Sequence, residues 1–421
     1  MGSATAYFLA KYMPSMAPRV LVVERDKTYI RSSTTRSAAS IRHQFSLPEN
    51  ITMSQFGTHF LSDAPHALAR SDEDPIDICF RETGYLFLSS PAGLPTLEEN
   101  HAVQLKHGCS NITMLDAGGL KKSFPWLSTE GLAGGTYGTS GEGSFDAESL
   151  LHAIKNKAIS MGVRYVSDEV VDLVMDPPVA ASDKEAALAA LLPSWSQLSS
   201  HRRVTHVCLQ TGGRVACGTV VNCAGGQAAR IAAMAGLSLP VRARKRCIFV
   251  VDVAECPDGM SEGCPLTVLD QTSSAGRGVY FRKEGCGHNR FITGMSPLPD
   301  EDVDALQDDF DVPDGLFEEC VWPALASRVP AFEALRCVSC WAGHYEMNLH
   351  DHNAVMGASP NVDSLLFCNG FSGHGLQHAP AAGRAIAELI LCGRWVSIDL
   401  SLFAFDRLIE GRTKVLERNI V

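Results

Sequence analysis

The chain has 421 residues, of which 45% are hydrophobic and 20% charged, with a formal net charge of −11. That is a globular composition, long enough for two domains with sizeable cores. The acidic balance argues against nucleic acid or an anionic membrane as a main partner, and no apolar run reaches the ~18 residues a membrane span needs.

The opening stretch, MGSATAYFLAKYMPSMAPRVLVVERD, reads as a glycine, a helix over Ser3–Tyr12, a turn at Pro14 and Pro18, and a strand over Arg19–Val23 closed by Glu24. This is the second half of a dinucleotide-binding βαβ unit. Gly2 takes the place of the last glycine of G-x-G-x-x-G, where helix and strand pack closely. Glu24 either accepts hydrogen bonds from ribose hydroxyls or faces solvent. The unit's first strand and glycine loop do not precede Gly2. Leaving that strand's neighbours unpaired would cost ~1–3 kcal/mol per buried polar group, against ~5–15 kcal/mol for a whole domain. In-frame sequence upstream of Met1 is therefore expected to encode the strand and loop, behind an Arg-rich targeting segment.

The segment from Ser32 to Ser46 is small, polar and cationic. DEDPIDICFRETGYLFLSS alternates like a hairpin around Glu82-Thr83-Gly84. Asp146 is expected to cap a helix with apolar residues at Leu150, Leu151, Ile154 and Ala158. The Ala-, Ser- and Pro-rich stretch from Asp176 to Arg203 reads as an insertion, with a helix from Lys184 to Leu192. A strand over Val220–Cys223 then enters the small-residue turn Ala224-Gly225-Gly226, followed by a helix to Ala235. From Leu239 to Trp341 the chain is rich in strand-like runs, among them RKRCIFVVDV, GVYFRKEG and NRFITGMS. The acidic stretch from Asp300 to Asp314 reads as a solvated loop, and Lys245 and Arg246 as structural. Of the 14 cysteines, only Cys337 and Cys340 form a C-x-x-C. In a strand their thiols point to opposite faces, and no metal site is expected.

The C-terminal region concentrates the signal. A strand over Leu365–Cys368 enters a loop with glycines at 370, 373 and 375, and a helix follows from about Gln377 to Leu391. Glycine-rich backbone at a helix start offers N–H donors to phosphate, to carboxylate or to the pyrimidine edge of a reduced flavin. Packing glycines in a tight turn are the alternative.

GFSGHGLQHAPAAGRAIAEL, WAGHYEMNLHDHNAVMG, VVNCAGG and VLVVERD occur in the order found in the D-amino-acid oxidase-like flavoprotein family, and the resemblance spans Gly2 to Val421. That family includes sarcosine- and dimethylglycine-oxidising enzymes. The resemblance implies an α/β, Rossmann-like FAD-binding domain, without its first strand here, joined to a substrate domain on a mostly antiparallel sheet. The FAD domain would be discontinuous, over 1–74, 143–236 and 342–421, with 75–142 and 237–341 forming the substrate domain.

By the same resemblance, Gly2 and Ser3 start the pyrophosphate helix, and Glu24 with Arg25 stands at the adenosine ribose. Ser33 and Arg42 pass beside the flavin, and Arg42 takes the place of an arginine that holds the substrate carboxylate in sarcosine oxidases. Val170 touches adenine through its backbone, and Ala224 and Gly225 pass near the dinucleotide. Gly343 and the loop Gly370, Phe371, Ser372, Gly373, His374, Gly375 and Leu376 surround the ring. Hydride transfer from a carbon next to nitrogen is the implied chemistry, for a small amine or amino-acid substrate. Arg42 and Arg282 are the candidate carboxylate clamps, although Arg282 also reads as a surface strand residue. His374 either donates to the flavin or shapes the loop. Gln377 stands where sarcosine oxidases carry a lysine, and His344 where their flavin is attached through cysteine, so FAD is expected to bind non-covalently. Further stretches, QFSLPENI and WPALASRVPAFEAL among them, resemble a mitochondrial branch linked to assembly of respiratory complex I. They imply that location and complex I subunits or intermediates as partners. The other readings are a flavoprotein that serves assembly without catalysis and a chain that, without its first strand, cannot hold FAD.

Overall fold

The computed structural model describes residues 1–70, 75–176, 202–261, 264–285, 289–359, 362–409 and 414–419. The insertion expected between Asp176 and Arg203, with its helix, lies almost wholly outside the described residues.

The first helix, Gly2–Tyr12, is buried from Ser3 through Ala10, on every side rather than along one stripe. A helix apolar all round belongs in an interior, and this one packs against helices Ala147–Ser160 and Gly375–Cys392. The contact with the latter is close because Gly383 carries no side chain. A Cβ there would sit 2.6 Å from Ala4 Cβ. Asp146 caps helix Ala147–Ser160 as its sequence position suggests, accepting from the Ser149 N–H at 2.9 Å.

The nucleotide-type strands form two separate parallel ladders. Leu21–Glu24 pairs with Arg164–Ser167. Val220–Asn222 pairs with Val362–Asn369, which in turn pairs antiparallel with Val355–Ser359. Among the described residues no ladder joins the two pieces. Their facing edges, Val22 and Val23 on one and Val220 and Val221 on the other, line one cleft. A third, antiparallel sheet comprises Val170–Met175, Val204–Leu209 and Arg214–Ala216.

Of the two remaining sheets, one pairs Ser40–Ile41 with Gly143–Ser144 and the other has eight strands. Its order is Arg336–Asn348, Val241–Asp252, Arg290–Ser296, Gly278–Lys283, Leu266–Val268, Tyr85–Ser89, Gly134–Gly138 and Ile112–Asp116. Every pairing is antiparallel except Leu266–Val268 with Tyr85–Ser89. Its core is aromatic: Phe281, Phe291 and Phe332 meet edge to face at 5.0–6.3 Å, a favoured ring geometry. A buried pair, Arg328 Nε to Asp270 at 2.8 Å, fastens the helical segment near Arg328 to this sheet.

Two local expectations fail here. Among the described residues no hairpin forms around Glu82-Thr83-Gly84. Tyr85–Ser89 finds its partners far along the chain, in Gly134–Gly138 and Leu266–Val268. The alternation signalled a strand correctly but carried no information about its partner. The acidic stretch is also not a free solvated loop. Asp302 chelates Arg246 at 2.7 and 3.0 Å, Asp304 pairs with Arg244 at 3.2 Å, and Asp309 pairs with Lys245. Asp308 reaches Arg31 at 2.9 Å. The stretch is an ionic strap across the basic end of strand Val241–Asp252. Each exposed pair contributes ~0–1 kcal/mol, but they converge on one short strand.

Candidate active site

The cleft has a volume of about 1040 Å³ and runs from the separated parallel strands to the face of the eight-stranded sheet. Two helix starts border it. Helices Gly2–Tyr12 and Gly375–Cys392 begin at residues lining the cleft, and neither has a side-chain cap on its first N–H groups. Uncapped helix starts leave donors available to an anion.

At the far end of strand Leu21–Glu24, Glu24 lines the cleft. One of its oxygens accepts from the Asp26 N–H at 2.9 Å, and burial raises its pKa. Among the described residues its other oxygen accepts no hydrogen bond. Ser3, Arg25 and Val170 border the same end. Across from them, Asn222 shapes the Ala224-Gly225 turn by donating to Ala228 O at 2.9 Å and accepting from the Ala224 N–H at 3.2 Å. The residues present fit a dinucleotide: two uncapped helix starts, a small-residue turn and a carboxylate with a spare oxygen.

The C-terminal loop divides into a face and a backing. Gly373, His374, Gly375 and Leu376 line the cleft. Gly370, Phe371 and Ser372 lie behind it. Gly370 N–H donates to Glu346 at 3.1 Å, Ser372 Oγ accepts from Asn348 N–H at 3.0 Å, and Phe371 is buried among apolar side chains. Gly343 and Ser33 also reach the cleft, and Ser33 Oγ donates to His344 O at 2.6 Å.

Arg42 is the unusual side chain. Its guanidinium lies 4.5, 5.6 and 5.1 Å from the ring centres of Phe45, Tyr85 and Phe87. Its backbone N–H donates to Gln377 Oε1 at 2.8 Å, so the glutamine at the lysine position fixes Arg42 in place. One terminal nitrogen, Nη2, donates to Asn419 O, whereas among the described residues Nη1 is buried without a partner. A buried cation with an unpaired N–H edge is costly unless an anion meets it.

Arg282 is placed differently. It is absent from the cleft lining, and its guanidinium donates to Ala38 O, Lys283 O and Glu284 at 2.7, 2.9 and 2.8 Å. Those bonds occupy Nε and Nη1, leaving neither edge of the guanidinium with two N–H groups for a carboxylate to bridge. His374 is buried beside Phe45 and His378, with Nε2 unpartnered, and burial holds its pKa well below the usual histidine range. It is neutral at pH 7. His344 stacks on Phe310 at 4.4 Å, and its Nε2 lies 2.8 Å from Asp309 O, so the acidic strap occupies that ring.

The eight-stranded sheet adds residues that the sequence reading passed over or, for Arg246, took as structural. Tyr85, Tyr280 and Tyr345 wall this end of the cleft together with Arg246 and Ile248. Burial raises all three phenols' pKa values, Tyr85 to about 12, so they stay protonated. Arg246 stacks 4.7 Å from the Tyr345 ring, but Asp302 already neutralises it. Two-residue spacing of Arg246 and Ile248 in RKRCIFVVDV was the available signal. It identifies one face of a strand without saying what that face meets.

Such a cleft, a dinucleotide cradle opening onto a sheet, with the buried Arg42 guanidinium set among aromatic rings, places the protein among flavin-dependent oxidoreductases of the amino-acid oxidase type. The chain belongs to the FAD dependent oxidoreductase family, whose pattern matches residues 1–389. It is similar to FAD-dependent oxidoreductase domain-containing protein 1 of Xenopus laevis, 42% identical over 100% of this chain and 83% of that protein. The Bos taurus protein of the same name is 40% identical over 98% of this chain and 83% of its own length. Among solved structures, L-proline dehydrogenase from P. horikoshii shares the fold with a TM-score of 0.76 at 21% identity, over 97% of this chain and 95% of that one. Glycine oxidase from Geobacillus kaustophilus does so with a TM-score of 0.71 at 20% identity, over 96% and 94%.

Proposed function

We propose that the protein oxidises the C–N bond of a small amino acid or N-methyl amino acid, using FAD held non-covalently. The observation that carries this reading is Arg42, a walled-in guanidinium whose Nη1 has no partner among the described residues and which lies at the sheet end of the cleft. A substrate carboxylate would supply the missing acceptor, and a guanidinium fixes its orientation as well as its charge. Tyr85, Tyr280 and Tyr345 would exclude water around the substrate, with hydroxyls available to its polar groups. Neutral His374 would add no positive charge beside Arg42. When bound, FAD supplies the hydride acceptor. Glycine oxidase and L-proline dehydrogenase, which share the fold, are named for substrates that carry both an amine and a carboxylate.

The experiment is anaerobic mixing of the FAD-loaded protein with a panel of N-methyl and cyclic amino acids. Bleaching of the flavin's visible absorbance by a carboxylate-bearing amine is expected. A flavin inert to every amine would contradict catalysis and favour the assembly role alone. The resemblance to the mitochondrial branch supports extending the proposal to that compartment and to complex I assembly. Loss of assembled complex I in cells lacking the protein, with the protein itself in the mitochondrial fraction, is the expected outcome. Normal complex I levels would remove this part of the proposal.

Glu24 provides a separate check on the cofactor assignment. Its spare carboxylate oxygen can accept from a ribose hydroxyl, and a charged hydrogen bond contributes ~1.5–3 kcal/mol. Glu24→Ala is expected to weaken FAD binding by roughly ten- to a hundredfold in a fluorescence titration. Unchanged affinity would remove Glu24 from the ribose site.

A further inference from the structure

Glu346 lies in strand Arg336–Asn348, one residue beyond Tyr345, and lines the cleft. Its carboxyl sits between the two turns that cradle the dinucleotide. One oxygen is 3.3 Å from where a Cβ on Gly375 would lie, and the other is 4.0 Å from the same point on Gly225. An acidic side chain therefore stands where two uncapped helix starts invite an anion. Its ties are to backbone, with the N–H groups of Gly370 and Phe371 donating to it. Among the described residues no lysine, arginine or histidine forms an ion pair with it.

The titratable groups around it are few. From the first helix, Met1 packs at the Gly375 turn, its Cε 3.4 Å from where a Cβ on Gly375 would lie. Cys223, at the end of strand Val220–Asn222, and Cys368, in strand Val362–Asn369, both sense its charge. Its register neighbour across the sheet, Ala243, carries none. Burial disfavours the carboxylate while the two N–H donors favour it. The outcome is a pKa pushed up to about 7, with burial the largest cause.

We propose that Glu346 takes up one proton when FAD docks, so that the cleft exchanges a resident carboxylate for the cofactor's diphosphate. The inference rests on the proposed FAD site and deepens it. A fixed negative charge beside the incoming diphosphate would oppose binding, whereas a carboxylic acid keeps one lone pair for the Gly370 N–H and gains a donor. The diphosphate itself is fully ionised across neutral pH, so the proton goes to the protein. The sign follows from linkage. Below the free protein's pKa the acid is already protonated and affinity is flat. Above it, docking must draw a proton from solvent, and affinity falls as pH rises.

The test is calorimetric titration of the FAD-free protein with FAD, in two buffers of different ionisation enthalpy. At about one pH unit above that pKa, wild type should take up close to one proton per FAD. Kd should be flat in mild acid and weaken toward about tenfold per pH unit above neutrality. Glu346→Gln should bind without proton uptake, with a pH-independent Kd near the wild-type value in acid. Glu142 is a second carboxyl pushed up to about 7, buried against Gln44 and His43 and outside the cleft lining. Glu142→Gln should therefore retain the uptake. Binding by wild type without proton uptake, or uptake that persists in Glu346→Gln or vanishes in Glu142→Gln, would overturn the inference while leaving the FAD site standing. No FAD binding at any pH would overturn both.

Discussion

Replacing Arg42 by methionine is expected to slow flavin reduction by a carboxylate-bearing amine by about 30- to 3,000-fold, the size of a ~2–5 kcal/mol loss. Methionine keeps much of the side-chain volume against Phe45, Tyr85 and Phe87 while removing the unpaired Nη1. The effect should appear in apparent substrate affinity as well as in the limiting rate, because orientation and binding both depend on the charge. An ester or amide of the same amine, which lacks the anion, should lose little. Arg42→Lys should recover only part of the loss, since an ammonium cannot reproduce the planar pairing. Stopped-flow reduction of the loaded protein separates these cases. Equal rates in wild type and Arg42→Met would show that the carboxylate is held elsewhere or not at all.

The next largest effect is expected at Gly373, where valine should abolish FAD retention. Two penalties coincide there. The backbone sits at φ +96°, a region that β-branched residues essentially do not occupy. A Cβ would also fall 1.7 Å from the Tyr345 hydroxyl and 1.9 Å from the ring carbon bearing it. Either the loop or the Tyr345 ring must move, and both line the cleft. Because the loop closes onto the start of helix Gly375–Cys392, the disturbance reaches the N–H groups that face an anion. Flavin content after purification is the readout, with circular dichroism to show that the chain still folds. A normally yellow, folded Gly373→Val protein would contradict the placement of this loop.

What was legible in the sequence follows from the range of the interactions. Asp146 capping its own helix involves neighbours in the chain. The loop from Gly370 to Leu376 was legible because glycine spacing and a helix start are local features. Even so, its division into a cleft face and a backing came only from the bonds that tie Gly370 to Glu346 and Ser372 to Asn348. The tyrosine wall could not be read. Tyr85, Tyr280 and Tyr345 come from separate parts of the chain, and sheet order brings them together. The same limit explains Arg246 and Arg282, which look alike in strand-like runs. One faces the cleft under Asp302, whereas the other turns to Ala38 O and Glu284. The acidic strap was misread because its basic partners lie 56 to 64 residues away for Arg246 and Lys245.

The most direct test of the central claim is acid precipitation of the purified, FAD-loaded protein, followed by measurement of flavin in pellet and supernatant. The claim is that this cleft holds FAD through Glu24, the two helix starts and the Gly373–Leu376 face, with no covalent bond. His344, whose ring is taken up by Phe310 and Asp309, should play no part in attachment. One FAD per chain is expected in the supernatant, with a colourless pellet. Flavin retained in the pellet would contradict non-covalent binding, and a protein that carries no flavin after exposure to excess FAD would contradict the site itself.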